Sequence, residues 1–283
     1  MSPNRTLRVA AVQVDPQIGA KADNLATVEA KIREAALRGA SLIVFPECAL
    51  TGYGFRSRGE ALSLAEPIPG PSTDAIVRIC RELNVFVVVG MLELDGERLF
   101  NAATLLGPDG VVGTYRKIHL PFLGVDRFVD PGDRPLAVFE ADGVRLGLHI
   151  CYDGSFPETA RVLTLLGADL LLLPTNWPVQ STSTADHLPA TRAIENVVYV
   201  MAVDRVGTER GCSFAGRSSI VDPDGNILAK ASPVEPEILY ADIEPARSRR
   251  KRLVRVPGEY ELDRIADRRP EFYSAITAPK ASS

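Results

Sequence analysis

The second half of the chain repeats the first half in the same order, and this repeat constrains the fold more than any other feature of the sequence. Four kinds of segment recur: an apolar strand-like run, a Gly-Ala run that ends in proline, an apolar run that begins with asparagine, and a Pro-Asp-Gly turn. The paired segments are residues 7–12 and 144–149, 39–46 and 167–174, 84–89 and 196–201, and 108–110 and 223–225. Ordered self-similarity of this kind predicts two copies of one structural unit.

Each copy combines short apolar runs with stretches of helical periodicity, which predicts an α/β fold. The run at residues 170–173 is apolar throughout, as expected of a strand in a sheet that is covered on both faces. Neither half can cover both faces of its own sheet. The sequence therefore predicts a duplicated four-layer α-β-β-α sandwich, with one domain over residues 1–265 and a C-terminal tail at 266–283.

Composition excludes several classes of function. Hydrophobic residues make up 46% and charged residues 24% of the chain, which is typical of a packed domain and not of a disordered one. A formal net charge of −4 gives no reason to expect a nucleic-acid partner or an anionic membrane. A basic run at residues 247–255 is flanked by acidic residues and is expected to form a solvated or subunit-contacting face.

Localisation and cofactors are predicted from what the sequence lacks. The first residues do not resemble a signal peptide, and no run reaches the ~18 apolar residues that span a bilayer. The four cysteines have neither a Cys-x-x-Cys pair nor the spacing of a disulfide framework. We therefore expect a cytoplasmic protein with no membrane contact, no disulfide framework and no structural zinc.

Three reactive side chains follow predicted strands, where catalytic groups of such sheets are commonly found. Glu47 follows the strand at residues 42–45 and its terminal proline, Lys117 follows the strand at 111–115, and Cys151 follows the strand at 144–150. A carboxylate or an ammonium group in this position needs a partner. Glu47 and Lys117 are accordingly expected either to form a structural salt bridge or to act in catalysis.

Cys151 lies where a strand turns sharply into a helix that has Pro157 in its first turn. A thiol at such an elbow is close to backbone N–H groups and to the positive end of a helix, which would favour the thiolate and stabilise an oxyanion. A buried apolar role is the alternative for any free cysteine, and it is the interpretation we adopt for Cys48, Cys80 and Cys212.

Three motifs together resemble the signatures of the nitrilase superfamily, the carbon-nitrogen hydrolases. They are Phe45-Pro46-Glu47-Cys48-Ala49-Leu50-Thr51-Gly52-Tyr53, Tyr115-Arg116-Lys117-Ile118-His119-Leu120, and Cys151-Tyr152-Asp153-Gly154-Ser155-Phe156-Pro157-Glu158. The resemblance implies that Cys151 is the nucleophile, Glu47 the general base and acid, and Lys117 the cation that stabilises the tetrahedral intermediate with the Tyr152 backbone N–H. It also implies a homodimer or larger homo-oligomer, and a reaction that requires no metal and no cofactor.

The pocket residues are less clearly indicated. Many members of that family carry a further glutamate after the lysine; here Asp126 is the nearest acidic residue, and an ordinary loop carboxylate paired with Arg127 is the alternative. Tyr53, at the end of the first motif, is grouped with the pocket. Asn176 and Trp177 lie in the second-half counterpart of the Glu47 loop and are expected to line the pocket, although Trp177 could instead be a packing anchor.

The residues after Cys151 bear on the bond that is cleaved. Tyr152-Asp153 in place of Trp-Glu is similar to the amidase and carbamoylase branches, so the predicted substrate is a small linear amide or N-carbamoyl amine. Nitrile hydrolysis, acyl transfer from the same thioester, and a catalytically silent protein are the alternatives. A Cys-His site that uses His119, His149 or His187 is a weaker alternative.

Overall fold

The computed structural model describes residues 6–278, and within them the two halves of the chain share one series of main elements, to which the first half adds α2 and the second half adds β10 and β11. The first half contains β1 (Leu7–Gln13), α1 (Lys21–Leu37), β2 (Leu42–Val44), α2 (Arg58–Leu62), α3 (Pro71–Leu83), β3 (Phe86–Asp95), β4 (Arg98–Gly107), β5 (Gly110–Arg116) and β6 (Val138–Ala141). The second half contains β7 (Val144–Leu148), α4 (Pro157–Leu165), β8 (Leu170–Pro174), α5 (Thr182–Asn196), β9 (Tyr199–Val203), β10 (Thr208–Glu209), β11 (Cys212–Ser213), β12 (Ser219–Val221), β13 (Ile227–Lys230) and β14 (Glu237–Ile243).

The main strands form two mixed six-stranded sheets of matching topology. The first sheet has the order β14-β1-β2-β3-β4-β5, and the second has the order β13-β12-β9-β8-β7-β6. In each sheet the three central strands contributed by one half are parallel, and antiparallel strands flank them. The final strand of each half, β6 or β14, joins the sheet of the other half. This exchange explains why neither half can form its sheet alone.

The layers follow from the alternation of side chains along the strands. Alternate residues of β1 point to opposite faces, so that Val9 and Ala11 pack between the sheets while Ala10 and Val12 pack under the outer helices. Val28 and Ile32 of α1 and Ile76 of α3 cover the first sheet. The second sheet is covered in the same way by α4 and α5, which contribute Ala160, Leu163 and Ala193. The predicted duplicated four-layer sandwich is confirmed.

Most predicted elements are present, with shifted ends. The strand predicted at residues 111–115 gains one residue at each end, and the strand predicted at 144–150 ends two residues earlier, at Leu148. The short elements α2, β10 and β11 were not predicted, because two to five residues give too little periodicity.

The C-terminal region continues with α6 (Pro245–Arg249), β15 (Arg252–Val256), β16 (Tyr260–Asp263) and α7 (Ser274–Thr277). The basic run is largely neutralised within the chain: Arg247 pairs with Asp222 and Asp224, and Arg249 pairs with Asp169. Both arginine side chains remain partly exposed, so a solvated face fits the structure, and contact with a second subunit stays a prediction. Part of the predicted tail carries α7, and residues 279–283 lie outside the described residues; the boundary at residue 265 stays a prediction.

Within residues 6–278, every helix is too short or too polar to cross a bilayer.

Candidate active site

Glu47 and Lys117 meet in the interior, at one end of the first sheet. Lys117 Nζ lies 2.7 Å from Glu47 Oε1, and both side chains are fully buried. Glu47 comes three residues after β2 and Lys117 directly follows β5, so the sheet itself brings them together. A buried ion pair is costly to desolvate and is maintained only where the geometry is good.

Gly90 of β3 makes room for the Glu47 loop. A Cβ atom at this glycine would lie 2.4 Å from the Cys48 nitrogen and the Pro46 oxygen, and 2.7 Å from the Glu47 Cα. No side chain fits at such distances without displacing backbone. The absence of a side chain on Gly90 therefore sets how closely the Glu47 backbone approaches the sheet.

Asp126 is the second carboxylate at Lys117. Its Oδ2 lies 2.5 Å from Lys117 Nζ and also accepts a hydrogen bond of 2.8 Å from the Tyr53 hydroxyl. The alternative in which Asp126 pairs with Arg127 is wrong, because Arg127 donates to the backbone oxygens of Gly124 and Phe55. Tyr53 is itself buried, and its hydroxyl supports Asp126.

The charges of the three buried groups act on one another. Burial raises the pKa of Glu47, and the nearby Asp126 charge raises it further, against the opposing effect of Lys117 and Asn101. For Lys117, burial alone would lower the pKa, but the charges of Asp126 and Glu47 together hold its pKa well above the ordinary value. Lys117 therefore carries its charge at neutral pH, and Glu47 is a stronger base than a solvent-exposed glutamate.

Cys151 begins a 3-10 turn, Cys151–Ser155, which leads into α4. Its φ of +46° is in the left-handed region, which confirms the sharp elbow predicted after the strand. The predicted preference for the thiolate is wrong for the resting protein: burial and the Glu47 charge raise the pKa of Cys151, and Lys117 only partly opposes them. The thiol is protonated at rest and needs a base to become a nucleophile.

Asp153 ties the Cys151 turn to the Lys117 strand, a role that was not predicted from the sequence. It is fully buried; one carboxylate oxygen accepts from the Ile150 N–H and the Tyr115 hydroxyl, and the other accepts from the His119 N–H. An aspartate that accepts from the N–H three residues before it, at the start of a turn, is a recognisable sequence signal. The contacts of Asp153 with Tyr115 and His119, however, depend on the tertiary structure.

The second-half loop approaches Cys151 through Thr175 and Asn176. The Thr175 hydroxyl and the Asn176 backbone N–H both act to lower the pKa of Cys151. The Asn176 side chain is fully buried, and neither of its polar atoms has a hydrogen-bond partner in residues 6–278. Unpaired buried amides are uncommon, and a polar ligand bound beside Cys151 would be one way to satisfy this one.

Two other predicted pocket residues have different surroundings. Trp177 is buried, and its backbone N–H donates to Asp204 Oδ1 at 3.0 Å, which fixes the loop next to Asn176. The Tyr152 side chain is 40% exposed and meets the Phe156 ring edge-on, so only its backbone remains a candidate for oxyanion binding.

None of the three histidines makes a hydrogen bond to Cys151 in the part of the chain that the structure describes. His149 is buried and its pKa is lowered by burial to about 4, so it is neutral. His119 Nδ1 contacts Asp153 instead. Residues 6–278 also contain no group of three or more His, Cys, Asp or Glu side chains arranged to hold a metal ion.

The family model described as carbon-nitrogen hydrolase matches residues 8–252. A protein called nitrilase from Pyrococcus abyssi is 40% identical over 94% of this chain and 99% of its own length. The human omega-amidase NIT2 is 34% identical over 84% of this chain and 89% of its own.

A solved structure gives a further comparison. It is a mutant of the amidase from Nesterenkonia sp. AN1 showing covalent addition of the acetamide moiety of fluoroacetamide at the active site cysteine. The two chains superpose with a TM-score of 0.78 at 25% identity, over 97% of this chain and 98% of that one.

Proposed function

The chain belongs to the carbon-nitrogen hydrolase family, within the nitrilase superfamily, and from that premise we propose that it hydrolyses small linear amides through a thioester on Cys151. One observation carries the proposal: the buried Lys117–Glu47 pair lies close enough to Cys151 for both charges to act on its thiol. A base, a cation and a thiol in one buried site are the groups that amide cleavage requires.

Glu47 is suited to be the general base because its two oxygens differ. Oε1 accepts from Lys117 Nζ and from Asn101 Nδ2, each at 2.7 Å. Oε2 is buried and has no hydrogen-bond partner in residues 6–278. In the proposed first step Oε2 takes the thiol proton as Cys151 Sγ forms a bond to the carbonyl carbon, and the carbonyl π electrons move to oxygen.

Lys117 is suited to stabilise the oxyanion. An ammonium group has three N–H donors, and hydrogen bonds to Glu47 and Asp126 account for two of those on Lys117. The third is proposed to meet the tetrahedral O⁻, together with the Tyr152 backbone N–H.

Collapse of the tetrahedral intermediate and hydrolysis complete the reaction. As the carbonyl reforms, the C–N bond breaks and Glu47 returns its proton to the leaving amine. Glu47 then removes a proton from a water molecule, which attacks the thioester, and the same proton goes back to Cys151 as the C–S bond breaks. The net reaction converts an amide and water into a carboxylic acid and ammonia or an amine.

Amides are proposed as substrates because two relatives are an omega-amidase and an amidase, and because Tyr152-Asp153 follows the nucleophile. The test is ammonia release from a panel of small monoamides, amides with a carboxylate at the other end, and N-carbamoyl amines. Cys151→Ala is the inactive control, and Cys80→Ala, in α3, is the matched control. Ammonia release by the Cys151→Ala variant would contradict the proposal. So would the failure of the wild-type enzyme to release ammonia from every amide of the panel.

Nitrile hydrolysis is the second candidate, because the relative from Pyrococcus abyssi is called a nitrilase. The same panel with aliphatic and aromatic nitriles tests it, since a nitrilase releases ammonia and acid from the nitrile directly. Turnover of nitriles at least ~10-fold faster than of the matching amides, a difference of ~1.4 kcal/mol in the barrier, would replace the amide proposal.

We also propose that the protein is a homodimer or larger homo-oligomer. A groove between the outer helices and the C-terminal region is lined by apolar side chains of α4, α5 and α7, including Val162, Leu165, Ile194 and Ile276. All four are at least 39% exposed in the single chain. An exposed apolar surface that is contiguous in this way is more often a site of interaction with another chain than a face that stays in contact with solvent.

A further inference from the structure

Asn101 lies at the centre of the site, although neither a motif nor a strand end indicates it in the sequence. It is in the middle of β4 and is 1% exposed. Its backbone oxygen accepts the Lys117 N–H at 2.9 Å, so the same residue holds the lysine backbone.

The Asn101 amide connects the two carboxylates of the site. Nδ2 donates to Glu47 Oε1 at 2.7 Å and to Asp126 Oδ1 at 2.9 Å, which uses both of its N–H groups. Oδ1 in turn accepts from Cys48 Sγ at 3.6 Å. Burial raises the pKa of Cys48 well above its ordinary value, so this thiol is a neutral donor and defines which end of the amide faces the carboxylates.

We propose that Asn101 is a positioning residue: its amide holds Glu47 and Asp126 side by side on Lys117 and leaves Glu47 Oε2 as the oxygen that takes the Cys151 proton. The inference rests on the proposed Cys151 mechanism and adds to it the control of which glutamate oxygen reacts.

The physical need for such a residue follows from charge. Glu47 and Asp126 face a single ammonium group, and two neighbouring buried carboxylates tend to share a proton. A proton on Glu47 would abolish its function as a base. The Asn101 N–H that bonds to Glu47 Oε1 favours the ionised form of Glu47 and introduces no acidic proton, while the second N–H holds Asp126 beside it.

The test uses Asn101→Leu, which removes the donors at similar volume, and Asn101→Asp, which retains the shape and adds a carboxylate. Thr104→Val is the matched control: Thr104 is a buried polar residue of the same strand, and its hydroxyl bonds to β5 and not to the site. The readout is the pH dependence of Cys151 alkylation by iodoacetamide, located by peptide mapping, alongside kcat and KM on the best amide of the panel.

The sign of the expected shift is fixed by the donors that are lost. Without them the pKa of Glu47 rises further, so the base stays protonated up to a higher pH. The acidic limb of the alkylation profile and that of the kcat profile therefore both move to higher pH. We expect at least about one pH unit for each Asn101 variant, equivalent to ~1.4 kcal/mol, with kcat reduced more than KM is changed. Thr104→Val is expected to lower Tm and leave the limb in place.

A double variant separates positioning from simple structural support. Asn101→Asp combined with Asp126→Asn restores the wild-type number of carboxylates. The kcat of this double variant should therefore be about tenfold higher than the value expected if the effects of the two single substitutions were independent. Additive losses, or an acidic limb that stays in place in either single Asn101 variant, would overturn the inference. A poorly folded Asn101→Leu leaves the decision to Asn101→Asp and the double variant.

The same experiment distinguishes failure of the underlying mechanism. If Cys151 is not the nucleophile, Cys151→Ala retains turnover of the best amide, whatever the Asn101 variants do. If only the Asn101 inference is wrong, alkylation still inactivates the wild-type protein. The rate of that alkylation then falls at low pH in the wild type, and the Asn101 variants show the same fall at the same pH.

Discussion

Replacing Lys117 tests the electrostatics of the site most severely. Lys117→Met keeps the length of the side chain and removes the charge that faces Glu47 and Asp126. Breaking a buried ion pair costs about 3–5 kcal/mol, and the upper part of that range is expected here because all three side chains are fully buried. For a chain of 283 residues the entropy of unfolding is about 0.6 kcal/mol per kelvin, so a loss of about 4–5 kcal/mol should lower Tm by roughly 7–8 °C.

The loss of activity should exceed what instability explains. Turnover should fall by at least ~10²-fold, the usual effect of removing one oxyanion donor. The pKa of Glu47 should rise without its cation, so the acidic limb of the rate profile should move to higher pH. Lys117→Arg retains the charge but presents a planar fork in place of a compact ammonium group, and a loss of similar size is expected.

Steady-state kinetics and thermal unfolding of the same preparations provide the assay. Lys21→Met is the matched control. Lys21 Nζ pairs with Glu66 Oε1 at a distance of 2.7 Å, this pair lies outside the site, and the Lys21 side chain is partly exposed. It should lower Tm slightly and leave kcat unchanged. A Lys117→Arg enzyme that is less stable but turns over at close to the wild-type rate would refute the catalytic role of Lys117.

Three further changes have expected outcomes. Gly90→Ala should lower kcat, measured by steady-state kinetics, by about 10²-fold, because the added Cβ would force the Glu47 backbone to move. Gly59→Ala is the control and should leave kcat unchanged, because a Cβ there would meet only one atom, at 4.0 Å. Sedimentation at micromolar concentration should show a dimer or larger species, and Leu165→Glu should dissociate it; an active wild-type monomer would contradict the proposed assembly. Cys80→Ala should reduce thermal stability and leave kcat unchanged, since burial raises the pKa of that thiol to about 12.

The fold was predictable to the level of its layers because the internal repeat carries the information. Two copies of one series of strands and helices leave few ways to cover four sheet faces. The exchange of β6 and β14 between the halves was not predictable from the repeat, because the order of elements along the chain does not say which sheet a final strand joins. Hydrogen bonds between distant segments decide that.

The site was predictable where chemistry follows a strand end and not where it depends on tertiary contacts. Glu47, Lys117 and Cys151 were named from their positions after strands and from motifs. Asn101 looks like any polar residue inside a strand, and its role depends on the neighbouring strand and loops that surround it. The raised pKa of Cys151 was also unpredicted, because burial depends on the whole fold and outweighs the local turn.

The most direct test of the proposed mechanism is mass spectrometry of the enzyme quenched during turnover of its best amide substrate. We predict an added acyl group on the peptide that contains Cys151, which disappears as substrate is exhausted and is absent from Cys151→Ala. Glu47→Gln should form the adduct at least ~10²-fold more slowly, because the base is missing. An acyl group on any other residue, or continued turnover by Cys151→Ala, would contradict the proposed mechanism.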